Sequence, residues 1–188
     1  MAILTGDALL SEAFNLMSRQ DLMKKVPAQR RLRAINQIAR AAGSLGMVGG
    51  QTMDILSQGK EMDRRVLEYI HSHKTGALIA ASVNAGAIIG GASIREYRAL
   101  NGYGERLGLA FQIIDDLLDV EGDVRKLGKA VRKDQIQEKA TYPAFFGVKD
   151  SHNQAEKLVQ EALDHLKPIH RQANPLREIA QFILKRSS

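Results

Sequence analysis

Apolar residues return every three or four positions along nearly the whole chain, and no stretch alternates apolar with polar residues between turn signals. This pattern predicts an all-α fold. Residues 2–19 read as a first helix. Pro27 is suited to open a second, because it lacks the N–H that a first helical turn leaves unpaired. Leu32, Ile35, Ile38, Ala42 and Leu45 then form one stripe, with the end expected near Gln58 and Gly59. Asp63 can accept the free N–H groups of a third helix running from Arg64 to about Gly91. Ser93 with Glu96 has capping-box spacing and opens a fourth, reaching about Glu121. After an irregular basic stretch, Pro143 starts a short helix, Ser151 with Gln154 repeats the capping-box spacing, and Asn174 before Pro175 suits a last helix.

Residues 76–94 carry no charge over 19 positions, long enough to cross a bilayer on length alone. Gly76, Gly86, Gly90 and Gly91, with Ser82 and Asn84, leave few large aliphatic side chains to drive insertion. No membrane span is expected there. A core helix whose small residues admit close neighbours fits the composition better.

With 188 residues and 44% apolar content, the chain can bury one sizeable core, so residues 1–188 are expected to form a single domain. The absence of cysteine excludes disulfide scaffolds, thiolate metal sites and cysteine nucleophiles. The opening MAILTGDALL has no basic run and meets Asp7 early, so it does not read as a secretory signal, and a cytoplasmic protein is expected. The net charge of +6 favours a polyanionic partner: nucleic acid, acidic lipid or a diphosphate. Charge alone does not choose among them.

The candidate chemistry lies in LGLAFQIIDDLLDVEGD, where Asp115, Asp116 and Asp119 interrupt an otherwise apolar helix. An isolated carboxylate is costly to desolvate, so three together need a reason. At about 100° per residue, Asp115 and Asp119 fall about 40° apart, with Asp116 about 100° from Asp115, so two can share one ligand. Crowded carboxylates repel and take up protons unless a cation neutralises them. All-oxygen ligands favour magnesium, which usually completes its shell with water and substrate phosphates. The ordinary alternative is a salt-bridged acidic face. Residues 125–139 add Arg125, Lys126, Lys129, Arg132, Lys133 and Lys139 against Asp134 and Glu138. Such a loop suits a metal-bound polyphosphate, whose remaining oxygens lysines can take, although a solvated surface loop would look the same. His71 and His73, two apart on a helix, point about 200° from each other and are not expected to share an ion.

These segments resemble the short-chain trans-isoprenyl diphosphate synthases, such as farnesyl and geranylgeranyl diphosphate synthase. GLAFQIIDDLLD looks like that family's second aspartate-rich motif, and LGKAVRKDQIQEKATYPAFFG is similar to the segment that follows it. HKTGALI at 73–79, GMVGGQTMDI at 46–55 and AILTGDALL at 2–10 also resemble family segments. The resemblance is strong over residues 2–148 and weaker to the end.

It implies an isoprenoid synthase-type helical bundle around a central cavity, usually a homodimer, in which isopentenyl diphosphate is condensed with an allylic diphosphate with the help of Mg2+. It makes Asp115 a direct metal ligand, with Asp116 and Asp119 acting as ligands or through water. Lys74 would contact the allylic diphosphate. Thr75 and Gln112 would line the cation beside the scissile bond. Lys129 and Lys139 would close over the diphosphate, with Asp134 a weaker candidate between them. Asp54 and Gln51 fit a packing network as well as a cavity wall and stay outside this set.

The family also carries a first DDxxD motif with arginines, upstream of the segment that resembles AILTGDALL. The other aspartates of this chain, at 7, 21, 54, 63, 123, 134, 150 and 164, are single. The expectation is a C-terminal portion of the fold, lacking its N-terminal helices, with negligible turnover alone. A non-catalytic helical partner of a full synthase is the alternative, followed by a basic module for nucleic acid or acidic membrane.

Overall fold

The computed structural model describes residues 1–60, 62–127 and 141–186, with the backbone alone over 123–127 and at 171. Among the described residues it is helical, with no strand. The helices are α1 (Ala2–Ser18), α2 (Ala28–Ala42), α3 (Met47–Ser57) and α4 (Arg64–Ile70). A π-helical turn, His71–Gly76, leads without a break into α5 (Ala77–Gly90), and α6 (Ile94–Leu127) follows. The chain ends with α7 (Tyr142–Phe146), α8 (Val148–His165), a 3-10 turn (Arg171–Ala173) and α9 (Asn174–Lys185).

Three start signals act as the sequence predicts. Asp63 accepts the Val66 N–H at 2.9 Å at the head of α4. At the head of α6, Glu96 accepts from the Ser93 N–H at 2.8 Å, and Ser93 Oγ accepts the Glu96 N–H at 3.3 Å. That pairing holds the Glu96 carboxyl below its ordinary pKa, chiefly through the Ser93 hydroxyl. Pro143 sits in the first turn of α7, where its missing N–H costs nothing.

Three expectations change. The predicted second helix divides at Gly43–Gly46 into α2 and α3, which puts Leu45 in the connection, exposed like Leu32, and leaves Ala34, Ala41 and Ala42 as the buried stripe. Ser151 does not cap a helix. Gly147, with a φ of 80°, turns the chain so that α8 begins at Val148, and Ser151 lies one turn inside, its hydroxyl donating to Gly147 O at 2.7 Å. The third predicted helix contains the π-helical turn, whose extra residue shifts the phase of every side chain after it.

The core forms along α6, which packs against α5 on one side and α8 on the other. Tyr103, Ala110, Ile113, Ile114 and Leu117 are completely enclosed, together with Ala162 and Leu166 from the far side. The Tyr103 hydroxyl donates to Leu176 O at 2.7 Å, and burial pushes its pKa up to about 12. The small residues of the uncharged stretch let α5 approach closely: a Cβ at Gly108 would stand 2.7 Å from Gly76 Cα. No helix among the described residues is long and apolar enough to cross a membrane.

Candidate functional site

Between α3, α4, the π-helical turn and the C-terminal half of α6 lies a cavity of about 710 Å³. Asp54, His71, Lys74, Gln112, Asp115, Asp116, Asp119 and Thr141 line it. All three motif aspartates therefore reach the same space, as does Lys74, while Thr75 joins through Gln112. Lys129, Lys139 and Asp134 lie outside the described residues.

Close backbone approach builds this wall. A Cβ at Gly50 would sit 2.2 Å from Lys74 N, so only glycine there lets α3 lie against the π-helical turn. That contact brings Asp54, one turn further along α3, within 2.7 Å of Lys74 Nζ, and the ammonium donates to its carboxylate. Asp54, left outside the site by sequence reasoning, belongs to the cavity wall. Its only local signal was the 3.6-residue period that places it beside Gly50. The contact between Gly76 and Gly108 does the same for the next pair, in which Thr75 Oγ1 donates to Gln112 Oε1 at 2.6 Å.

The three aspartates divide into two kinds. Asp115 keeps 48% of its side chain exposed, and it pairs at 3.8 Å with Arg186, which lies over the Phe111 ring. Asp119 is exposed and borders the cavity. Asp116 is buried and fully engaged. Its Oδ1 accepts from Gln112 Nε2 at 3.1 Å, its Oδ2 accepts from the Tyr142 backbone N–H at 2.8 Å, and His71 Nε2 forms an ion-pair contact with the same oxygen at 3.2 Å. His71, only 3% exposed, is thus a structural partner of the motif that sequence spacing did not reveal. Its ring lies beside Tyr142, with centroids 6.1 Å apart.

Among the described residues, no group of three or more acidic or imidazole side chains is gathered closely enough to hold a metal ion by itself. The donor chemistry nonetheless fits a hard cation that is completed by ligand oxygens, since Asp115 and Asp119 offer carboxylates to an open cavity and magnesium commonly takes one or two protein carboxylates plus phosphates. The site can receive a metal-bound anion; it is not a closed cage.

The chain belongs to the polyprenyl synthetase family, whose sequence profile it matches over residues 1–178. It is 44% identical over its whole length to a geranylgeranyl diphosphate synthase of Cyanophora paradoxa, covering 62% of that protein. It is 47% identical to a farnesyl diphosphate synthase of Geobacillus stearothermophilus over 89% of the chain, covering 56% of the relative. Among solved structures, an FPP/GFPP synthase from Zymomonas mobilis superposes with a TM-score of 0.83 at 36% identity, over 97% of this chain and 60% of that one. A Helicobacter pylori geranyltransferase complexed with magnesium and isoprenyl diphosphate gives 0.75 at 28% identity, over 99% and 59%. The chain thus spans little more than half to about three-fifths of the length of the relatives it matches.

Proposed function

We propose that the cavity is the diphosphate end of a prenyltransferase site, at which an allylic diphosphate is condensed with isopentenyl diphosphate. The observation that carries this reading is the convergence of Asp115, Asp119, Lys74 and Gln112 on one cavity in a chain of this family. Mg2+, held by Asp115 and Asp119 with Asp116 behind them, would supply charge neutralisation for the departing diphosphate.

In the reaction, the allylic C–O bond breaks and its electron pair leaves with the diphosphate. The double bond of isopentenyl diphosphate then attacks the resulting carbon cation, and loss of a neighbouring proton restores a double bond. Lys74, steered by Asp54, donates to diphosphate oxygens, and Lys129 and Lys139, matched to the family's diphosphate-binding positions, would complete the set. Thr75 and Gln112 present oxygens toward the positive charge as it forms, and such preorganised dipoles usually make the largest catalytic contribution. The apolar side chains of Met62, Leu67 and Ile70 on the same wall keep water from the cation.

Asp54 is the other carboxylate that lines the cavity among the described residues, and it is committed to Lys74. Turnover by the 188-residue chain alone is expected to be negligible, since among the described residues no second group of carboxylates lines the cavity opposite those of α6. Exposed Ile3, Leu4 and Leu9 on α1 support the expected self-association, which sedimentation velocity would read as a dimer.

The test is thermal unfolding with a non-hydrolysable allylic diphosphate analogue. A ligand at 100 times its Kd stabilises by about 2.7 kcal/mol. The shift should require Mg2+ and disappear in Asp115→Ala. An equal shift without magnesium, or in Asp115→Ala, would overturn the reading.

A further inference from the structure

A partly buried hydrogen-bonded chain runs from the Tyr142 backbone through Asp116 and Gln112 to Thr75, and its direction is set by a group that cannot turn round. The Tyr142 backbone N–H is a fixed donor, and it meets Asp116 Oδ2 at 2.8 Å. His71 Nε2 lies 3.2 Å from the same oxygen, as an ion-pair contact. The other oxygen, Oδ1, then receives the side-chain N–H of Gln112 at 3.1 Å. An amide that gives its N–H to Asp116 must turn its carbonyl oxygen the other way. That oxygen accepts the Thr75 hydroxyl at 2.6 Å. With its one proton committed to Gln112, Thr75 Oγ1 offers only lone pairs to anything beyond it.

We propose that Asp116 is a positioning residue: anchored by the Tyr142 N–H, it orients the Gln112 amide so that Thr75 and Gln112 present acceptor oxygens, not protons, to a positive charge formed in the cavity. This rests on the prenyltransferase reading, which places that charge beside Thr75. It gives Asp116 a different task from Asp115, although the two are adjacent in the motif. Asp115 stands half-exposed at the cavity, whereas Asp116 is 8% exposed and accepts two hydrogen bonds, with His71 3.2 Å away.

Asp116→Asn makes the idea sharp, because asparagine replaces one acceptor with a donor and the Tyr142 N–H decides which. That N–H requires the asparagine oxygen at the Oδ2 position, so the new NH2 faces Gln112. Gln112 must then flip, turning its own NH2 toward Thr75, and the threonine hydroxyl proton is released toward the cavity. The polarity of the whole chain reverses while its shape is retained.

Two analogues separate the roles by isothermal titration calorimetry with Mg2+: a neutral non-hydrolysable allylic diphosphate, and one carrying a protonated amine where the cation would form. Asp116→Asn should lower affinity for the amine-bearing analogue at least tenfold more than for the neutral one. Asp115→Ala should weaken both alike. Thr75→Val, which removes the hydroxyl at nearly constant volume, should also lose the preference for the amine, and the double variant should lose no more than either single one. An equal loss for both analogues in Asp116→Asn, as in Asp115→Ala, would make Asp116 a further metal or diphosphate ligand and end the proposal. So would full retention of the preference in Thr75→Val, which also decides the matter should Asp116→Asn not fold.

A ligand-free measurement keeps this test apart from the functional reading. Nuclear Overhauser contacts from the Gln112 side-chain amide protons to the Thr75 methyl should be weak in the wild type and strong in Asp116→Asn. If the wild type binds neither analogue, the prenyltransferase reading fails, and the role in catalysis fails with it. The amide contacts still report whether Asp116 orients Gln112, and unchanged contacts would remove that claim too.

Discussion

Tyr103, Ile113, Ile114 and Leu117 are wholly enclosed on one side of α6, while Gln112, Asp115, Asp116 and Asp119 border the cavity on another. On a helix of about 100° per residue, the four polar positions occupy an arc of about 100° and the four apolar ones a separate arc of about 100°. Neighbours in sequence therefore have different physical fates. The apolar arc is held by shape, since each enclosed side chain fills space that nothing else can fill. The polar arc is held by partners, and it keeps Asp116 in place through groups from two other parts of the chain: the π-helical turn, by His71 and by Thr75 through Gln112, and the start of α7. The first arc should govern stability and the second ligand recognition.

The largest expected effect comes from breaking the apolar arc. Ile113→Ala removes a completely enclosed side chain and should cost about 2–5 kcal/mol in denaturant unfolding. Per folded molecule, the Mg2+-dependent response to an allylic diphosphate analogue should be retained. Loss of that response without destabilisation would mean that the two arcs are not separate.

A smaller effect should appear at high pH through Tyr103. Its phenol is held up at about 12, against about 10 when unfolded, so between those values the folded chain keeps a proton that the unfolded chain has lost. Stability is fully present below about pH 10 and should fall as pH rises toward 12, by about 1.4 kcal/mol per unit of pKa difference. Denaturant midpoints at pH 9 and pH 11.5 read the slope, and Tyr103→Phe should flatten it. A slope unchanged in that variant would assign the loss elsewhere.

The smallest effect on stability is expected from the polar arc where it is most open. Asp115→Ala removes a half-exposed carboxylate whose ion pair with Arg186 is long, and surface pairs of this kind contribute about 0–1 kcal/mol. Its unfolding midpoint should match the wild type within about 0.5 kcal/mol. A large destabilisation would place Asp115 with Asp116 as a structural group.

Much of this was legible in the chain. The starts at Asp63, Ser93 and Pro143, the close packing of the uncharged stretch, and the meeting of Asp115, Asp116 and Asp119 on one cavity all follow from signals that act within about one helical turn. The same locality explains the misses. Ser151 with Gln154 has the spacing of a cap, yet Gly147 begins the helix one turn earlier, and spacing alone does not say which of two competing starts prevails. The π-helical turn, likewise, carries no periodic signature of its own in six residues.

Sequence by itself thus determined that the chain is helical and where several helices start, which residues carry charge, and that three carboxylates occupy one apolar helix. Only the tertiary structure decided how those carboxylates divide. The bonds that make the division join residues 26 and 37 positions apart, Tyr142 to Asp116 and Thr75 to Gln112, with Lys74 reaching Asp54 across 20. The Lys74–Asp54 and Thr75–Gln112 pairs form where backbones meet at Gly50 and Gly108, not because of anything within a turn of either partner. Helix formation is local and can be read from neighbours, whereas a buried carboxylate keeps its charge only where distant donors arrive, and packing alone brings them there.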